Sequence, residues 1–155
     1  MLVTLIAVLC NSQLCMEKVV TTLIEAFVLV ALPARAHEAK SAEEAGAVVR
    51  LLPIARDSAA SLRAVLDLAA GADPVVTIGG ASVGDHDLVA RVAGEAGFAP
   101  AFHKIAMRPG KPLMAGRFND GVLMGLPGNP VSSVACAILF MLPLIRAMQG
   151  DPSPL

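Results

Sequence analysis

A chain of 155 residues is the size of one ordinary domain, long enough to bury about two thirds of the surface its unfolded form exposes. Its formal net charge is −1, with no Trp, no Tyr and five Phe, which excludes the usual nucleic-acid surface of stacking aromatics along a basic track. Apolar residues make up 55%, so a well-filled core is available, and an anionic ligand must be held by a few local cations and backbone amides.

Cys10, Cys15 and Cys136 are an odd count without metal-ligand spacing. They read as free thiols in a reducing, cytoplasmic compartment. Residues 1–10 are apolar, and a second apolar run over 19–32 is interrupted by Thr21, Thr22 and Glu25. That run is shorter than the roughly 20 residues a membrane span needs. Ala34-Arg35-Ala36 has the small-x-small form of a signal-peptidase site, but Glu17-Lys18 is not the basic start of a signal peptide. The expectation is no membrane partner, with strand or helix buried at a domain edge. Residues 1–43 are otherwise left as an N-terminal segment without an assigned structure.

From residue 47 the pattern becomes regular. Residues 47–54 read as a strand, and Asp57-Ser58 supplies capping chemistry for a helix over 58–70. Leu62, Val65, Leu66 and Ala69 fall at helical spacing there, and Gly71 closes the helix. Pro74–Ile78 is a short buried strand running into Gly79-Gly80. A second helix spans 87–95, with Leu88, Val89 and Val92 on one face. Residues 98–107 read as a strand leading into the turn Arg108-Pro109-Gly110-Lys111. Asn119-Asp120-Gly121 joins strands 113–118 and 122–126 as a hairpin. Pro130 opens an apolar helix over 131–149, and Pro143 inside it predicts a kink or a split. The alternation predicts a three-layer α/β domain over 44–150: an open, mainly parallel sheet with helices on both faces. Residues 151–155 read as a tail. Ligands of such sheets bind beyond the carboxyl ends of strands.

Four turns carry chemistry. In Gly79-Gly80-Ala81-Ser82-Val83-Gly84-Asp85-His86-Asp87, glycines let a ligand approach the backbone and the next helix offers its amides. Ser82 can donate a hydrogen bond, and Asp85 with Asp87 could cap the helix or hold Mg²⁺. Lys104, Arg108 and Lys111 put three cations in eight residues of a chain that has twelve. An extended strand would set Lys104 and Arg108 on one face. Gly125-Leu126-Pro127-Gly128-Asn129-Pro130-Val131-Ser132-Ser133 is stiffened by two prolines, with Asn129 placed to cap the helix. Asp57 follows an earlier strand and reads as a cap or an acid. His86 and His103 read as neighbours of the site. Taken singly, each turn also fits a purely structural explanation, as a tight βα turn, a helix cap or solvated charge.

Together and in this order, GGASVGDHD, KIAMRPGKPLMAG and GLPGNPVSS resemble the molybdopterin molybdenumtransferase family, the molybdenum insertases related to the C-terminal half of gephyrin. The resemblance runs from about Glu44 to Gly150 and implies the molybdopterin-binding fold. It also implies a reaction in which adenylylated molybdopterin and molybdate are substrates, molybdate enters the dithiolene, and AMP leaves with Mg²⁺ assistance. By that resemblance Asp57, Asp87, Lys104 and Arg108 are the catalytic positions, and Asp85 with Asp87 are metal ligands. The pterin nucleotide is then held by Gly79, Gly80, Ser82, Gly84, Lys111, Pro127, Gly128, Asn129, Pro130 and Ser132.

The family also implies a homodimer whose active site is shared between subunits. One departure is plain. Where family members carry a Gly-Asp-Glu turn, this chain reads Cys10-Asn11-Ser12-Gln13-Leu14, and the family's further upstream and downstream domains lie outside the sequence. Two alternatives follow: a non-catalytic pterin-binding or dimerising module, and a molybdopterin adenylyltransferase.

Overall fold

The computed structural model describes residues 4–9, 33–79 and 88–155. Its centre is the strand Pro74–Ile78 (β3), buried at all five positions. Four of those residues are β-branched, and a run apolar on both faces belongs between two helical layers. Gly121–Leu126 (β6) lies parallel to it, in register from Pro74 opposite Val122 to Ile78 opposite Leu126. The approach is close at the start of β6. Val122 N–H donates to the Asp73 carbonyl at 2.8 Å, and a Cβ on Gly121 would lie 1.9 Å from that oxygen.

Met114–Phe118 (β5) precedes β6 as the first arm of the expected hairpin, with Asn119 at φ 52 in the turn. Ala99–His103 (β4) pairs antiparallel with β5 and forms one edge. On the other side of β3 lie Thr4–Leu9 (β1) and Val48–Leu51 (β2), giving the order β2-β1-β3-β6-β5-β4.

The three-layer α/β architecture holds, and the strand directions correct one expectation. Among the described strands, β3 and β6 are the one parallel pair of neighbours. β2, β3, β6 and β4 share one direction, while β1 and β5 oppose it. For β5 the reason is connection length. A two-residue turn joins β5 to β6, and the link from β4 to β5 is shorter than the dozen or so residues a parallel crossover needs.

Helices cover both faces, as strand alternation demands. Ala59–Leu68 (α2) and Leu88–Glu95 (α3) bury Leu62, Val65, Leu66, Val89, Val92 and Ala93 against Val75, Met114, Phe118 and Leu123. The opposite face holds Pro33–Glu44 (α1), Pro130–Cys136 (α4) and Leu142–Met148 (α5). There Ala39, Ala42, Cys136, Met141 and Ile145 meet Val76, Ile78, Leu113, Ala115, Met124 and Leu126. Burying each of the larger side chains contributes roughly 1.5–3 kcal/mol. β1 and α1 thus join the same packed body, ahead of residue 44. The apolar run 19–32 lies outside the described residues.

Pro143 splits its helix as expected, by a specific device. Ala137–Met141 is a π turn between α4 and α5, and the Leu142 N–H reaches back to the Ala137 carbonyl. The wider turn relieves the clash a proline ring makes with the carbonyl four residues earlier. By length and composition Pro130–Met148 could cross a membrane; here its inner face packs on the sheet.

Candidate ligand-binding site

The carboxyl ends of β3 and β6 lie side by side, so the turns that follow them meet. Gly79 sits at φ 83, and its N–H donates to the Leu126 carbonyl at 3.1 Å. A Cβ on Gly128 would stand 3.3 Å from the Gly79 Cα, so the two glycines form one seam. The remainder of the first turn, with Gly80, Ser82, Gly84, Asp85, His86 and Asp87, lies outside the described residues.

The cations are gathered by a loop, which corrects the expected strand over 98–107. β4 stops at His103 because Lys104 turns to φ 72, a left-handed conformation that breaks the extended backbone. Lys104 N–H donates to the Leu113 carbonyl, Ile105 N–H to Lys111 and Leu113 N–H to Gly110, at 2.9–3.0 Å. Lys104, Arg108 and Lys111 are all exposed on this self-bonded loop. It hangs at the same sheet end as Gly79 and Gly128, since His103 pairs with Met114 and Met114 with Gly125. Gly110, buried at φ 118, docks the loop onto α4. Its carbonyl lies 3.9 Å from the Cys136 Sγ, and a Cβ there would meet that sulfur at 2.8 Å. Burial pushes the Cys136 thiol pKa up.

Asn129 caps α4, as its residue type implied. Its side-chain oxygen accepts from the amides of Val131 at 3.0 Å and Ser132 at 3.4 Å, and its carbonyl accepts from Ser133 N–H. The helix therefore spends its first-turn amides on its own cap. Gly128 and Asn129 are left as the loop's amide donors among the described residues, since Pro130 has none. Pro127 and Ser132 are buried, while Gly128, Asn129 and Pro130 are exposed.

Asp57 follows β2 at the same end of the sheet, exposed, but β1 stands between β2 and β3. The N-cap of α2 is Ser58, whose side chain accepts from Ser61 N–H. Among the described residues no three His, Cys, Asp or Glu side chains converge on a metal position.

Two residues escaped the sequence reading. Glu38 of α1 is fully buried, and its Oε1 accepts from the Ser133 hydroxyl at 2.7 Å. Among the described residues its other oxygen, like the Thr77 hydroxyl on β3, has no hydrogen-bond partner. A Glu among Lys40, Glu43 and Glu44 reads as solvated, so the sequence carried no signal for it.

Comparison with known proteins bears on this site. A family described as "Probable molybdopterin binding domain" matches residues 35–147. Molybdopterin molybdenumtransferase 2 of Mycobacterium tuberculosis is 36% identical over 122 residues, covering 75% of this chain and 30% of that protein. The molybdopterin molybdenumtransferase of Haemophilus influenzae is 42% identical over 80 residues, covering 52% and 20%. A crystal structure of a molybdopterin biosynthesis moea protein from Pyrococcus horikosii superposes with a TM-score of 0.56 at 36% identity, covering 64% of this chain and 24% of that one. The chain spans less than a third of each of these relatives.

Proposed function

This chain belongs to the molybdopterin-binding domain family, and from that premise we propose that it binds adenylylated molybdopterin during molybdenum-cofactor biosynthesis and serves insertion of molybdate at the dithiolene, with release of AMP. The observation that carries the reading is the seam between Gly79 and Gly128, with the loop of Lys104, Arg108 and Lys111 at the same sheet end. Support also comes from the relatives' names, which are those of molybdenumtransferases.

The chemistry follows from charge. Phosphates and molybdate are all anions, so bringing them together costs repulsion that nearby cations offset. Lys104 and Lys111 act as point charges, while the Arg108 guanidinium can clamp two oxygens of one phosphate. Gly79 and Gly128 have no Cβ to hold a ligand off the backbone, and Gly128 and Asn129 offer amides. Pro127 and Pro130 keep that loop in one shape before the ligand arrives, which lowers the ordering cost of binding. Asp57 and Asp87 are the proposed acidic groups of the site. Mg²⁺, when bound, would screen the anions from one another, and Asp85 with Asp87 are the proposed ligands. The described residues show no converging acid cluster, so no step is assigned through the metal. A cytoplasmic homodimer is the setting we propose.

Titration calorimetry with adenylylated molybdopterin tests the reading, and a wild-type chain that does not bind would end it. A second reading, a pterin-binding module without turnover, is favoured by Cys10-Asn11-Ser12-Gln13-Leu14 standing where the family carries an acidic turn. Release of AMP in the presence of molybdate and Mg²⁺ separates the two: the enzyme produces it, the module does not.

A further inference from the structure

We infer that Glu38 is a positioning residue for the ligand loop, holding the first turn of α4, and with it Gly128 and Asn129, at a fixed place on the sheet. The inference rests on the proposed ligand site. Glu38 is the inward-facing acid of α1, fully buried where Glu43 and Glu44 are exposed. A carboxylate taken out of water loses hydration that an apolar side chain would not lose, so packing alone does not account for it. What it makes instead is a hydrogen bond across 95 residues of sequence, accepting from the buried Ser133 hydroxyl at 2.7 Å.

Ser133 is in turn joined to the loop. Its N–H donates to the Asn129 carbonyl at 2.8 Å, and Asn129 caps Val131 and Ser132. Glu38, Ser133 and Asn129 therefore form one hydrogen-bonded chain from α1 to the turn that touches Gly79. The outer side of that turn has no such support, since Asn129, Pro130 and Val131 are exposed. Its hold on the rest of the protein is from within. A negative charge beside the first turn of a helix also suits the helix dipole. The carboxylate could thus act through charge or through its hydrogen bond, and the two are separable. Glu38→Gln removes the charge and keeps an oxygen for Ser133. Glu38→Leu keeps the volume and removes both. Ser133→Ala removes the donor alone.

The experiment measures two quantities on the whole chain: the Kd for adenylylated molybdopterin, and the exchange rates of the Val131, Ser132 and Ser133 amides. Glu38→Leu and Ser133→Ala should each raise Kd and exchange up to about tenfold, the loss expected when a buried hydrogen bond is removed. Glu38→Gln should stay within about twofold of wild type in both. Wild-type exchange and Kd in Ser133→Ala would overturn the inference, and this small change decides the matter if Glu38→Leu does not fold. Faster exchange with unchanged Kd would also overturn it, reducing Glu38 to a packing role. So would Glu38→Gln behaving like Glu38→Leu, which would assign the effect to charge. If wild type binds no pterin nucleotide, the proposed function fails, and amide exchange still decides whether Glu38 holds the loop.

Discussion

At Lys104 the backbone and the charge can be tested apart. Its φ of 72 is a conformation that residues with a Cβ enter at a cost of order 1 kcal/mol and glycine enters freely. Lys104→Gly should therefore keep the melting temperature within a few degrees, since relief of strain offsets the added freedom of the unfolded chain. Its affinity for adenylylated molybdopterin should fall as far as that of Lys104→Ala, because both remove the same cation. Unchanged affinity in both variants, by calorimetry, would remove Lys104 from the site. At this scale the residue types indicated the turn at Gly79 and the cap at Asn129, because glycine and asparagine act on their own backbone. Glu38 was illegible for the opposite reason. Its role comes from Ser133, far away in sequence and brought beside it by the packing of two helices.

Among the elements, β4 shows how a sheet edge is set by a neighbour's glycine. A Cβ on Gly116 would lie 2.2 Å from the Ala99 carbonyl and 2.6 Å from the Pro100 Cα. The register of β4 against β5 shifts between Pro100 and Phe102. A proline and a bulge also blunt the outer edge of β4 against pairing with another chain. Gly116→Ala should cost about 1–3 kcal/mol, as overpacking does, and should loosen β4 before the rest of the sheet. Urea unfolding gives the first quantity and amide exchange at Ala101 and His103 the second. Wild-type stability would mean that β4 shifts aside freely. The helices and β3 were legible from periodicity and capping. β4 was read too long, because no residue pattern marks a lysine that turns left-handed. The π turn was foreshadowed by Pro143 alone.

Across the whole molecule, two properties follow from burial. Cys136 is fully buried and its thiol pKa is raised by desolvation. The unfolded chain sheds that proton near the ordinary value, about 8.5, while the folded chain retains it. The contribution is therefore complete below that pH and is lost as pH climbs above it. Urea unfolding of wild type should lose stability between about pH 8 and 10 more steeply than Cys136→Ala does; parallel profiles would refute the assignment. The second property is the outer face of Pro130–Met148, where Val131, Ile138 and Leu139 are exposed. If the proposed homodimer uses that face, Ile138→Glu with Leu139→Glu should sediment as a monomer while wild type sediments as a dimer. A variant that stays dimeric would move the interface elsewhere.

Residue patterns were enough for the three-layer α/β class, a helix cap within Asp57-Ser58, the cap at Asn129, and the turns at Gly79 and Gly128. Each of these is enforced over a few residues, by alternation, by a side chain reaching its own backbone, or by the absence of a Cβ. Tertiary structure alone decided that β1 enters the sheet antiparallel between β2 and β3, and that α1 turns Glu38 inward. It also decided that the cation loop docks through Gly110 onto Cys136. Those outcomes depend on partners between about 26 and 95 residues away, and no local pattern encodes a contact whose other half is so distant.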